Sequence, residues 1–174
     1  MRDQRLERFD RAVLPHLDAA FNLARWLTRN DHDAEDVVQE AYLRAYQFFD
    51  SFHGGDGRAW LLRIVRNTCY TWLEKNRPRE LAVTFDETKH SAETKEAGPE
   101  APLIASEDRE MLRRALEELP PEFREVIVLR ELEGLSYKDI AAVTGVPVGT
   151  VMSRLARARQ RLQECLSEPK REES

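Results

Sequence analysis

Between residues 78 and 105 the chain loses its hydrophobic periodicity, and that gap constrains the fold more than any other feature. The stretch TFDETKHSAETKEAGPEAP is polar, net acidic and poor in large apolar side chains. Such a segment cannot bury enough apolar surface to offset the entropy lost on ordering. It reads as a flexible linker over residues 79–105. On either side, 174 residues leave room for two compact units of small-domain size, over residues 1–78 and 106–174.

Within each unit apolar residues return every three or four positions, the spacing that gives a helix one face to bury. In the first half this holds over residues 15–28, 33–49 and 58–75. Asn30-Asp31-His32-Asp33 is a polar break, Asp33 with Asp36 resembles a capping box, and Gly54, Gly55 and Gly57 separate the second helix from the third. In the second half the pattern covers residues 106–119, stops at Pro120-Pro121, and resumes over 122–132, 136–144 and 148–166. Gly134 and Gly145 are placed as terminators, and Ser136 three residues before Asp139 as a cap. The expected fold is all-α, two small helical domains, three helices and then four.

Composition narrows the function. No run approaches the roughly 20 apolar residues of a membrane span, and the charged start MRDQRLERFDRAVL lacks a signal peptide's apolar core. The expected location is the cytoplasm, with no membrane insertion. Cys69 and Cys165 fall in separate helical patterns, so no disulfide framework or metal-binding pair is indicated. A net charge of −5 excludes a general DNA-coating protein and confines any basic surface to a local patch. The four histidines are scattered, and no phosphate-binding glycine loop is present. Neither a cofactor nor an enzymatic activity is expected.

The local patch is legible near the end. In LSYKDIAAVTGVPVGTVMSRLARARQRL a short helix, a tight Gly145-Val146-Pro147 turn and a longer helix succeed one another as in a helix-turn-helix. Val151, Leu155, Ala158 and Leu162 form the last helix's apolar stripe. Arg154, Arg157 and Arg161 form a basic one, with Ser153 and Arg159 also on the polar side. Arginine reads guanine or holds phosphate, and hydroxyl side chains position the backbone.

With its neighbours LPPEFREVIVLRE and GLSYKDIA, the run PVGTVMSRLARAR resembles the fourth conserved region of sigma-70 proteins of the extracytoplasmic-function group. The resemblance implies that the last helix enters the major groove of a −35 promoter element, with Thr150, Met152, Ser153, Arg154, Arg157 and Arg161 at the DNA. Met152 stands where many relatives carry a basic residue, so one contact differs in kind.

The first half carries the matching signal. DAEDVVQEAYLRAYQFF sets Asp36, Gln39 and Glu40 on one helix face and Val37, Ala41, Ala45 and Phe48 on another. It is similar to the second conserved region of the same family, which implies docking on the clamp helices of the polymerase largest subunit through Asp36, Gln39, Glu40 and Leu43, with Tyr46 as a further neighbour. The next helix, RAWLLRIVRNTCYTWLEKNR, puts Leu61, Val65, Thr68 and Trp72 on an apolar stripe and Arg63, Arg66, Asn67 and Tyr70 on a polar one. Arginines interleaved with an aromatic suit single-stranded DNA. The resemblance implies that Phe52, His53, Arg58, Arg63, Arg66, Asn67 and Tyr70 bind the −10 element. Trp60 and Trp72 read as core.

The resemblance thus implies a sigma factor whose partners are core RNA polymerase, at its clamp helices and flap, promoter DNA, and an anti-sigma factor. Two other classes remain. A ligand-sensing or dimerising regulator would bind duplex DNA unaided through a symmetric pair of helix-turn-helices. A pure interaction module would keep its activity without Arg154 and Arg157.

Overall fold

The computed structural model describes residues 2–82 and 106–167. Most of the segment read as a linker lies outside them. Helices α1 (Arg2–Val13), α2 (Leu17–Thr28), α3 (Asp31–Gln47), α4 (Gly57–Asn76) and the short α5 (Pro78–Ala82) build the first half. Helices α6 (Ser106–Glu118), α7 (Pro121–Ile127), α8 (Tyr137–Thr144) and α9 (Val148–Ser167) build the second. No strand occurs among the described residues.

Helix α1 was not anticipated, because a segment so rich in charge shows little apolar stripe. Two side chains anchor it: Phe9 and Val13 are fully buried. The Phe9 ring meets Tyr42, Tyr46 and Phe49 edge-on at 5.0, 5.2 and 5.4 Å, a favoured aromatic geometry. The start of α4 presses against the same helix, since a Cβ at Gly57 would lie 2.3 Å from the Ala12 carbonyl oxygen. Only glycine fits there.

The helix ends follow local chemistry, with one correction. Helix α3 begins at Asp31, two residues before the expected Asp33, and its cap is Asn30, whose Oδ1 accepts the Asp33 amide at 3.0 Å. Asp56 caps α4 in the same way through the Arg58 amide. Ser136 Oγ accepts the Asp139 amide at the start of α8, as expected, and Gly145 ends that helix at φ 75° in the left-handed region. After Pro120, helix α7 runs on into a π-turn at Val128–Leu132. Residues 79–82, read as the start of the linker, belong to α5, where Glu80 pairs with Arg29 and Arg77.

The two halves pack on each other. Leu23, Leu27, Leu61 and Val65 of the first belong to the same buried cluster as Phe123, Val126, Ile140 and Val151 of the second. Helix α4 lies against α8, and α2 against α7. No described helix is long and apolar enough to cross a membrane.

Candidate nucleic-acid interface and docking face

Helices α8 and α9 and the turn between them form the expected helix-turn-helix. Val151, Leu155 and Ala158 are buried and Leu162 half-buried, so the apolar stripe of α9 faces the core as read. The basic stripe divides. Arg157 is exposed, as are Met152 and Ser153, whose hydroxyl donates to the Gly149 carbonyl. Thr150 is half-buried. Arg154 turns toward Glu122, 3.9 Å away. Arg161 lies over the Phe123 ring at 5.0 Å, and Arg159 pairs with Glu131 at 2.6 Å. Offsets of three and four place arginines near one another, but packing against α7 decides which point outward.

On α3 the residues Asp36, Gln39, Glu40 and Leu43 are all exposed. Asp36 lies 3.6 Å from His32 and Glu40 3.4 Å from Arg44, both one turn away. Leu43, 62% exposed, borders an apolar groove with Leu17, Val38 and Tyr42. Two expectations are corrected. Tyr46 turns inward, between Phe9 and the Arg5 guanidinium, so it does not extend this face. Phe48, placed on one face with Val37, Ala41 and Ala45, is 59% exposed where those three are buried, and Phe49 takes the buried place instead. Helix α3 ends at Gln47, so the helical periodicity no longer sets which side chain turns inward.

The α4 face presents a different picture. Asn67 and the loop residue His53 are exposed. Phe52 is half-buried, stacked on Phe49 at 5.8 Å and tilted against Trp60 at 5.2 Å. Trp60 and Trp72 are half-buried at the core margin, and Trp72 lies beneath the Arg77 guanidinium. The three arginines all reach the other half. Arg58 Nη1 donates to the Glu133 carbonyl at 3.4 Å, and Arg63 Nη1 to the Ala142 carbonyl at 3.0 Å. Arg66 grips the Glu125 carboxylate with two bonds, at 2.9 and 3.1 Å, while its guanidinium lies 3.8 Å from the Tyr70 ring centre.

Glu125 is fully buried. Burial raises its carboxyl above the usual range, against the hydrogen bonds and charge of Arg66, which act to lower it. Burial acts to lower Arg66 in turn, but the hydrogen bond and charge of Glu125 prevail and hold the guanidinium charged. The Tyr70 hydroxyl is pushed well above its ordinary value, first by burial and then by the Glu125 charge. Burial likewise raises the Cys69 thiol.

Sequence reasoning missed Glu125 and its neighbour Arg124. Arg124, 2% exposed, donates to the carbonyls of Leu116, Glu117 and Leu119 in its own half and of Trp26 and Leu27 in the other. The signal was present: two consecutive charges between Phe123 and Val126-Ile127 cannot both lie on a wet face.

No group of three or more His, Cys, Asp or Glu is placed to hold a metal among the described residues. Asp31 and Asp33, which flank His32, are engaged by Arg25 and Arg77.

An all-helical body built on a helix-turn-helix defines the class. The chain matches the family described as Sigma-70 region 2 over residues 12–79 and that described as Sigma-70, region 4 over residues 109–162. It is 42% identical to the ECF RNA polymerase sigma-E factor of Escherichia coli K12, over 74% of this chain and 71% of that one. It is 38% identical to the ECF RNA polymerase sigma factor SigE of Mycolicibacterium smegmatis, over 91% of this chain and 62% of the relative. Among solved structures it resembles the sigma factor RpoE of Bartonella quintana, in complex with the anti-sigma factor NepR, with a TM-score of 0.69 at 34% identity, covering 94% of this chain and 99% of that one. CnrH, in complex with the cytosolic domain of CnrY, superposes with a TM-score of 0.64 at 27% identity, covering 94% and 90%. The chain belongs to the sigma-70 family, within the extracytoplasmic-function group of RNA polymerase sigma factors. That family comprises transcription initiation factors, not enzymes.

Proposed function

We propose that this chain binds core RNA polymerase in the cytoplasm and directs it to a promoter, one half serving the −10 element and the other the −35 element. The observation that supports this best is the occurrence of both sigma-70 regions, in order, on a single chain. The units are residues 1–82, with α5 closing the first half, and 106–174, joined by residues 83–105.

Docking falls to the exposed α3 face, where Asp36, Gln39 and Glu40 supply charge and hydrogen bonds toward the clamp helices of the largest subunit. Leu43 and the apolar groove beside it supply the anchor that an interface core needs. The second half meets the polymerase flap. Phe52, His53, Arg58, Arg63, Arg66, Asn67 and Tyr70 engage the melted −10 strand, phosphates on arginine and a base against the ring.

On α9, Arg157, Ser153, Met152 and Thr150 enter the −35 major groove. Arg154 and Arg161 follow by swinging away from Glu122 and Phe123. Control by an anti-sigma factor is supported by the two superposed sigma factors, one solved with NepR and the other with the cytosolic domain of CnrY.

Transcription in vitro from a promoter library, with purified core polymerase, tests the proposal. Specific initiation that appears only when the chain is added is expected. Tight duplex binding by a symmetric dimer without polymerase would overturn it.

A further inference from the structure

The sequence places a basic stripe on α9, yet the part of the helix that stands clear of the core is uncharged over its opening turns. Val151, Leu155 and Ala158 are buried. By helical rotation, Met152, Ala156, Gly149 and Ser153 fall in that order across the arc from Arg159 to Arg157 on the opposite side, and all four are exposed. We infer that this arc reads the methyl groups of thymine: Met152 and Ala156 meet the C5-methyls of two nearby T·A pairs in the −35 element, while charge is confined to the edges of the arc. The inference rests on the reading of α9 as the helix that enters the −35 groove, and it adds the base chemistry read there.

Three observations carry it. First, apolar surface is exposed where a groove-reading helix meets base edges. Met152 is 53% and Val148 41% exposed, and both lie in the first turns of α9, the part of a recognition helix that contacts bases. A lone exposed methionine is ordinary on a protein surface. Here Val148 stands one turn before it and Ala156 one turn after it, so their apolar atoms form a strip along the helix.

Second, this strip has little to offer a polar base edge. Ser153 is the hydroxyl beside it, and its Oγ already donates to the Gly149 carbonyl at 3.1 Å. Gly149 has no side chain, and a thioether sulfur is a weak acceptor. Guanine, cytosine and adenine turn donors and acceptors into the major groove, which would lose water against this strip and gain no partner. Thymine alone presents a methyl there.

Third, the cations are drawn off the strip by other elements. Arg159 pairs with Glu131 at 2.6 Å, Arg154 turns toward Glu122, and Arg161 lies over the Phe123 ring. Arg157, exposed at the far edge of the arc, is placed for a guanine or a phosphate beyond the thymines.

Helix geometry fixes how far apart the two methyls lie. Residues one turn apart on a helix face have Cβ atoms about 5–6 Å apart, a span of one or two base-pair steps of about 3.4 Å. Met152 and Ala156 therefore address T·A pairs that are adjacent or separated by one pair, and the thymine of either strand serves.

The test uses polymerase holoenzyme containing the full chain. A duplex library randomised over the −35 element is bound to the holoenzyme and sequenced, and the selected duplex is remade with each −35 thymine replaced in turn by deoxyuridine, which removes only the methyl. The selected element should hold two T·A pairs at that spacing, and deoxyuridine at each should weaken binding about fourfold, the worth of one buried methyl group. Met152→Ala should make one of the two positions indifferent to the methyl, and Ala156→Gly the other. Met152→Arg should shift the preferred base at its position from thymine to guanine, because a guanidinium reads the O6 and N7 of that base. These positions are exposed, and circular dichroism checks that each variant keeps its native helicity.

A selected element without T·A pairs, deoxyuridine duplexes that bind as well as thymine throughout, or a folded Met152→Arg variant that keeps the wild-type base preference would each overturn the inference. Failure of the underlying reading looks different: a scrambled −35 element would then bind the holoenzyme as well as the selected one, and Arg157→Ala would change nothing.

Discussion

Replacing Arg124 by Met keeps the aliphatic stem and removes the guanidinium that gathers five carbonyl oxygens at 2.7–3.3 Å. Each charge-assisted bond nets about 1.5 kcal/mol, so together they contribute about 7 kcal/mol. Burial, together with the nearby Arg29 charge, pulls the Arg124 pKa down from its ordinary value to about 10, which corresponds to about 3 kcal/mol spent keeping the charge there. The balance is a loss of about 4 kcal/mol in Arg124→Met. For a chain of this size that lowers the melting temperature by about 10 °C, measured by circular dichroism with a matching urea titration. Arg124→Lys should recover less than half, because one ammonium cannot reach both α2 and the end of α6. A melting temperature within about 3 °C of wild type would refute the reasoning. It would mean that water serves these carbonyls as well as the side chain does.

Cys69 offers a pH-dependent readout. Burial raises its thiol, with the Glu125 charge adding to the effect, so it stays protonated at pH 8–9. In a Cys165→Ser background it should resist alkylation in the native chain and react faster in Glu125→Gln; an equal rate in the two would count against a change in its burial. Charge reversal at Asp36 or Glu40, or Leu43→Ala, should weaken capture of core polymerase about tenfold or more without changing helicity. Unchanged capture by all three would remove α3 from the docking face. Arg157→Ala should weaken recognition of the −35 element by about 1–3 kcal/mol in a footprinting titration with polymerase present. Arg154→Ala should do so as well only if that side chain leaves Glu122, and polymerase binding should survive both.

Much of this protein was legible in its residues. Helical periodicity marked α2, α3, α4 and α6 to α9 within a few residues, because a helix that buries one face must repeat its apolar positions. Turn chemistry placed the Ser136 cap and the Gly145 stop, since both act through the nearest backbone alone. The family motifs were likewise continuous stretches of chain. Helix α1 escaped because its burial rests on Phe9 and Val13 within a charged segment, too few positions to make a stripe.

What only the tertiary structure decided concerns groups distant in sequence. Arg154, Arg157 and Arg161 share a spacing, yet Glu122 and Phe123 on α7 draw two of them inward and leave Arg157 outside. Arg66 looks on α4 like a cation awaiting a phosphate; its actual partner lies 59 residues away. Periodicity reports which side of a helix avoids water, but not what that side meets, because the identity of the neighbour is set by packing between elements. The pairing of Arg66 with Glu125 is of that kind.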